Sequence, residues 1–279
     1  MLHFAYDGSI HGDWVSHYAI RLASRLPQPG LKLLHVEDVR LSRAHLKQRL
    51  ERIAAECQTL SVPLEVCIHP ERQGVLATLR SLVPSGSEHY LLCGTRIRQR
   101  GRGFLAGTVS EYLLRDSPCQ VLAVRVVQPG LLGRPRNFLV PVAGHPVGIE
   151  RSLPFLRLLL PEADQVEILL VKRISRRRFR RIGHSQAEQL IETGRDYVQG
   201  VEETLRRELM VPANRLDLAV VVSDDVPKEI VILANKMKSQ LIFMGASERA
   251  LGQRLVYGSP IEQVLRSAPC DVAIHGCPS

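Results

Sequence analysis

The segment GTRIRQRGRGFLAGTVSEYLLRDSPCQV (94–121) aligns without a gap on GASERALGQRLVYGSPIEQVLRSAPCDV (245–272), at an offset of 151 residues. Gly94/Gly245, Arg98/Arg249, Gly101/Gly252, Gly107/Gly258, Glu111/Glu262, Leu114/Leu265, Arg115/Arg266, Pro118/Pro269, Cys119/Cys270 and Val121/Val272 match across it. Chance does not place so many glycines, a Pro-Cys pair and a glutamate in register. The chain is a duplicated domain, so whatever fold one half adopts the other must be able to adopt as well.

Each copy alternates short apolar runs with helical patterns. In the first, LHFAY (2–6), LKLLHV (31–36), LEVCIH (64–69), HYLLC (89–93) and QVLAVRV (120–126) read as strands. Helices are expected near 12–26, 41–60, 71–83 and 106–116. The second of these sets Leu46, Leu50, Ile53, Ala54 and Cys57 at helical spacing. The second copy repeats the order with NFLVPV (137–142), VEILLV (166–171), LDLAVVV (216–222), QLIFM (240–244) and DVAIH (271–275). Its long helix, about 186–209, places Ala187, Leu190, Ile191, Tyr197, Val198, Val201 and Leu205 on one face. Strands that are apolar throughout and alternate with helices imply an α/β fold with a parallel sheet covered on both faces. QPGLLGRPR (128–136) is rich in Gly and Pro and reads as a linker, giving domains over 1–127 and 137–279.

The 279 residues suit about two domains, and 45% hydrophobic with 23% charged residues is a globular composition. No apolar run approaches the roughly 18–20 residues that span a bilayer, and MLHFAYDGS lacks the basic and apolar regions of a secretory signal. The six cysteines form no C-x-x-C pair, which fits reduced core residues of a cytoplasmic protein, and no Cys/His cluster has metal-ligand spacing. The formal charge of +9 is local: KRISRRRFRR (172–181) carries seven basic and no acidic residues, and without it the balance is +2.

Two tandem five-stranded βα units, the opening AYDGS (5–9), the run LLHV (33–36) and a Gly-rich loop leading to SPCQV resemble the universal stress protein family, over essentially the whole chain. The resemblance implies two tandem doubly wound five-stranded parallel sheets of order 3-2-1-4-5, of the adenine nucleotide alpha hydrolase type. It also implies an internal pseudo-dimer through the fifth strands, and leaves a further homodimer open. ATP-binding members carry G-x2-G-x9-G-[ST] after strand four. Glycines there let the backbone approach phosphates, whose charge the N–H groups and the following helix N-terminus receive. An Asp ending strand one and a Val ending strand two hold the adenosine.

The first copy keeps Gly94, Gly107 and Thr108 at this spacing, together with Asp7 and Val36, but has Ile97 at the second glycine. The second keeps Gly245, Gly258 and Ser259, but has Glu248 at the second glycine and Ala143 at the aspartate. A carboxylate beside poorly screened phosphates repels them by a few kcal/mol. In the first copy Gly101 and Gly103 can compensate for Ile97, and Arg96, Arg98, Arg100 and Arg102 can neutralise phosphate charge. The expectation is therefore adenine-nucleotide (ATP) binding in the first domain and a degenerate site in the second.

The basic run has two readings. It is a solvated loop, or it is a docking segment in which Arg176, Arg177 and Arg178 meet a protein partner or an anionic membrane surface. Without aromatic interleaving or a recognised module, nucleic acid is the weakest partner. Ser9 in DGS reads as a turn or N-cap residue rather than a nucleophile. No catalytic constellation and no metal site is expected, and at most weak ATP hydrolysis. The reading is a cytoplasmic regulatory protein of stress response. Its rivals are a nucleotide-free scaffold docking through 172–181 and a weak ATPase.

Overall fold

A computed structural model describes the chain except residues 38–41, 72–73, 96–107, 117–118, 145, 247–258 and 279, and the side chains of 146–147. The chain divides into two units, Met1–Arg134 with Ile274–Ser279, and Pro135–Ala273.

Unit 1 alternates strands β1 (Leu2–Ala5), β2 (Leu31–Val36), β3 (Leu64–His69), β4 (Gly86–Gly94) and β5 (Cys119–Arg125) with helices α1 (Ile10–Ser24), α2 (Arg43–Thr59), α3 (Val75–Leu82) and α4 (Val109–Arg115). The strands run in the order β3-β2-β1-β4-β5, and every pair is parallel. Hydrophobic side chains drive the layering: Phe4, Leu33 and Leu91 from the strands and Tyr18, Ile20 and Leu22 from α1 are fully buried. The linker stretch is docked on α1, where Arg21 Nε donates to the Leu132 carbonyl at 2.7 Å.

Unit 2 repeats the plan with β6 (Asn137–Val142), β7 (Gln165–Arg173), β8 (Leu216–Ser223), β9 (Leu241–Gly245) and β10 (Asp271–Gly276), of which Ile274–Gly276 fall in unit 1. Its helices are α5 (Pro146–Leu159), α6 (Arg176–Phe179), α7 (His184–Leu209), α8 (Val226–Lys236) and α9 (Pro260–Ser267). The order β10-β9-β6-β7-β8 is the same topology read from the other end. Phe138, Phe155, Phe243, Ile168 and Val198 fill its core.

Two details differ from the sequence expectation. The central strands are buried, but β3 is open, with Val66 and Ile68 exposed, because it is the last strand of its sheet. Residues 176–179 of the basic run form a helical turn rather than a loop, just ahead of α7. Among the described residues no helix is long and apolar enough to cross a membrane, and no group of three metal-ligating side chains occurs. All six cysteines are free thiols, four of them buried.

Candidate functional site at the strand ends

Parallel pairing fixes where the strands of unit 1 end. Ala5 of β1 lies opposite Leu34 of β2 and Cys93 of β4. Extending the same register two residues past the end of β1 brings Asp7 level with Val36 on one side and with Thr95, next after Gly94, on the other. Three of the residues singled out from sequence, Asp7, Val36 and Gly94, are therefore neighbours at the carboxyl ends of three adjacent strands. The chain order reverses between β1 and β4, and an open α/β sheet forms its ligand crevice at such a reversal.

Local chemistry holds Asp7 in place. Gly8 takes the left-handed conformation (φ 72°) that a Cβ disfavours, turning the chain between β1 and α1. The Asp7 Oδ1 atom then accepts from the Ser9 backbone N–H at 2.9 Å and from the Ser9 hydroxyl at 2.7 Å. Ser9 is also the N-cap of α1, accepting from the Gly12 N–H at 3.0 Å. Gly12 has to be small, since a Cβ there would stand 2.5 Å from Asp7 Oδ1 and 3.1 Å from the Tyr6 ring. The carboxylate is thus aimed by a helix cap and remains exposed.

A second layer lies beneath it. The Tyr6 hydroxyl donates to Asp13 of α1 at 2.5 Å, and Arg49 of α2 pairs with the same carboxylate. Burial, and then the bond to Asp13, hold the Tyr6 phenol well above its usual range, so it stays a donor. His35 Nδ1 lies 2.9 Å from the Tyr6 carbonyl. This network ties β1, α1, β2 and α2 together under the crevice.

On the β4 side the His11 ring and Val15 of α1 lie against Gly94, each 3.4 Å from where a Cβ would be. Thr95 is 1% exposed, and its hydroxyl has no hydrogen-bond partner among the described residues. A buried, unsatisfied donor at the mouth of the Gly-rich loop fits a polar ligand or loop atom there. Cys93 is no nucleophile, because burial pushes its thiol up to about 12.

Thr108 closes the loop as the N-cap of α4. Its Oγ1 accepts from the Glu111 N–H at 3.2 Å and lies 3.0 Å from the Ser110 hydroxyl. In unit 2, Ser259 caps α9 and accepts from the Glu262 N–H at 3.3 Å. Both are the S/T-x-x-E pattern of a capping box. Each hydroxyl expected to meet phosphate thus also starts a helix. Gly107 and Gly258, like Ile97, Glu248, Gly101, Gly103 and the arginines at 96, 98, 100 and 102, lie outside the described residues.

The strand ends of unit 2 differ. Extending the register past its last pairs brings Ala143 level with Val171 and Val142 level with Gly245. Gly144 keeps the left-handed turn (φ 75°), but the carboxylate before it is gone. Val171, which sequence reading passed over, is the register counterpart of Val36. It was hidden because β7 does not stop there: it continues through Lys172 and Arg173, paired with Val222 and Ser223 of β8. Gly12 and Thr95 were missed as well, since a close approach and an unsatisfied hydroxyl leave no mark on the sequence pattern.

Residues 185–275 match the universal stress protein family. A universal stress protein from Archaeoglobus fulgidus shares 16% identity, covers 99% of this chain and 98% of that one, and superposes with a TM-score of 0.66. A protein of Pseudomonas aeruginosa described as a putative universal stress protein shares 17% identity over 98% of this chain and 91% of that one, with a TM-score of 0.58. At such identities the likeness is one of fold, and it extends over both units. No curated protein matches the sequence.

Proposed function

Taking as premise a tandem chain of universal stress type, with the family match in residues 185–275 and the family fold over nearly the full length, we propose that unit 1 binds an adenine nucleotide and that the protein acts as a cytoplasmic regulatory module of stress response. The observation that carries this is the convergence of Asp7, Val36 and Gly94 at the reversal point, with Asp7 held by Ser9 and given room by Gly12. The exposed carboxylate accepts from ribose hydroxyls, Val36 packs against the base, and Gly94 and Thr95 open the loop that receives phosphates. Unit 2, with Ala143 in place of the aspartate, serves as the degenerate copy. The role in this reading is binding rather than catalysis, with at most slow hydrolysis of ATP.

A second reading, a regulator without nucleotide, draws on Thr108. Thr108 is buried, and its hydroxyl is already engaged with Glu111 and Ser110.

The deciding experiment is to purify the protein without added ligand, denature it, and identify released small molecules by ion exchange with mass detection. About one adenine nucleotide per chain is expected from the wild type. Asp7→Ala and Gly12→Ala should weaken binding by about ten- to a hundredfold, the worth of hydrogen bonds to a charged group. No nucleotide, and no binding in a titration at high ATP, would establish the nucleotide-free reading.

A further inference from the structure

The connection from β7 to α7 is the most charged surface of unit 2, and it has internal order. The Ile174 N–H donates to the Ser223 carbonyl at 3.0 Å, so the strand holds the segment up to its turn. Ser175 then caps α6, accepting from the Arg178 N–H at 3.4 Å, and Phe179 N–H donates to the Ser175 carbonyl at 2.8 Å. Arg180 and Arg181 close the turn with bonds to Arg176 and Arg178.

This scaffold displays arginines. Arg173, Arg176, Arg177, Arg178, Arg180 and Arg181 are all exposed, and none pairs with an acid among the described residues. Lys172 is different. Its stem packs under α7, with Cε 3.2 Å from where a Cβ of Gly194 would be. Two acids early in α7 are engaged on their own helix, Glu188 with His184 at 3.1 Å and Glu192 with Arg195 at 2.9 Å. Six arginines thus fall within nine residues, exposed and unpaired with any acid among the described residues. Guanidinium is the side chain best matched to bidentate contact with phosphate oxygens.

One apolar group stands among them. Phe179 is 40% exposed at the end of α6, and Ile182 follows three residues later. Water gives no reason to hold an aromatic ring out among six cations. A lipid interface does: the ring enters the boundary between headgroups and acyl chains while the arginines meet the phosphates. A nucleic acid would use the charges, but it would find one aromatic side chain where single-strand binding uses a series. The connection between β2 and α2 in unit 1 follows a different design: its described residues open with Glu37, which pairs with Arg43 at 3.5 Å.

We propose that the β7–α7 connection of unit 2, Arg173–Ile182, is a docking surface for anionic phospholipid membranes. The surface is distinct from the crevice of unit 1 and does not depend on nucleotide binding there.

The test is sedimentation of the full chain with vesicles of phosphatidylcholine alone and of phosphatidylcholine mixed with phosphatidylserine. Binding only to the mixed vesicles, weakening as salt is raised, is the expected result. The variant Arg176→Ser/Arg177→Ser/Arg178→Ser should lower the partition coefficient by about a hundredfold, at roughly one kcal/mol per arginine. Phe179→Ser, which removes no charge, should lower it several-fold. All four side chains are exposed, so the variants keep the fold, which circular dichroism verifies. Equal binding to neutral and anionic vesicles, or wild-type binding by the triple variant, overturns the proposal. So does a Phe179→Ser protein that binds vesicles unchanged while duplex DNA competes them off at equal phosphate concentration, which would identify a nucleic-acid surface.

Discussion

Asp7 of unit 1 and Ala143 of unit 2 stand at the same place, just past strands of matching register and just before a glycine in the left-handed conformation. The turn is kept in both units, but the acid and its supports are present in one. A turn is required for the chain to pass from strand to helix, so the fold alone preserves it. The carboxylate of unit 1 adds to that turn by accepting from the Ser9 N–H and hydroxyl, a support that unit 2 does without. The sheets show a similar contrast deeper down. Lys32 of β2 lies opposite Glu65 of β3 and pairs with it at 2.7 Å. The register counterparts in unit 2 are Glu167 and Asp217, two acids side by side. The duplicated scaffold thus tolerates a reversal of charge at one position, at a cost that pH reveals.

The largest expected effect concerns the fifth strands. At the offset of the repeat, His275 occupies the place of Val124. His275 is buried, lies 2.9 Å from Gln120 Oε1, and burial lowers its pKa to about 4. The unfolded chain takes up a proton near pH 6.5 while the folded one does not until about pH 4. Stability is therefore full above the unfolded value and falls as pH drops toward 4, by at most about 3 kcal/mol. Denaturant midpoints at neutral and mildly acidic pH should differ much less in His275→Gln than in the wild type. An unchanged pH slope would show that the imidazole does not couple to folding.

Next come the two caps. Thr108→Ala and Ser259→Ala should each destabilise by about 1 kcal/mol, since each removes the acceptor for the third N–H of its helix. Their equality in stability is what a shared capping role demands. A fall in nucleotide retention with Thr108→Ala alone would add a ligand role in unit 1. A stability loss confined to one of the two would break the equivalence of the copies.

The smallest effect is expected at Glu167. Its carboxyl is held above the usual range by burial and then by Asp217, partly offset by Lys236. With the folded pKa raised, its contribution is full below the unfolded value near 4.5 and is lost as pH rises through the folded value. Glu167→Gln should therefore stabilise the protein at neutral pH by several tenths of a kcal/mol and flatten that decline, the opposite slope to His275. Thermal melts of the two variants across pH 4–8 separate them, and a destabilising Glu167→Gln would refute like-charge strain at this pair.

The fold was legible because a duplication makes every signal appear twice. The runs at 64–69 and 137–142 coincide with β3 and β6, as apolar strands between turn-forming residues should. The limits of β7 were less legible, since Lys172 and Arg173 look like loop residues yet pair with β8, whose backbone supplies the bonds. The same holds for α6, a turn made by Ser175 in a stretch whose composition reads as solvated.

For the candidate site, sequence determined the chemistry on offer: an acid after the first strand, glycines after the fourth, a hydroxyl before the helix, and their partial loss in the second copy. Those are properties of residue type and spacing. Only tertiary structure decided that Asp7, Val36 and Gly94 are neighbours, because strand register is set by hydrogen bonds between segments far apart in the chain. It alone decided that Gly12 gives Asp7 its room and that the Thr95 hydroxyl is buried without a partner among the described residues. A close approach and an unmet hydrogen bond are relations between atoms, and they exist only once the chain has folded.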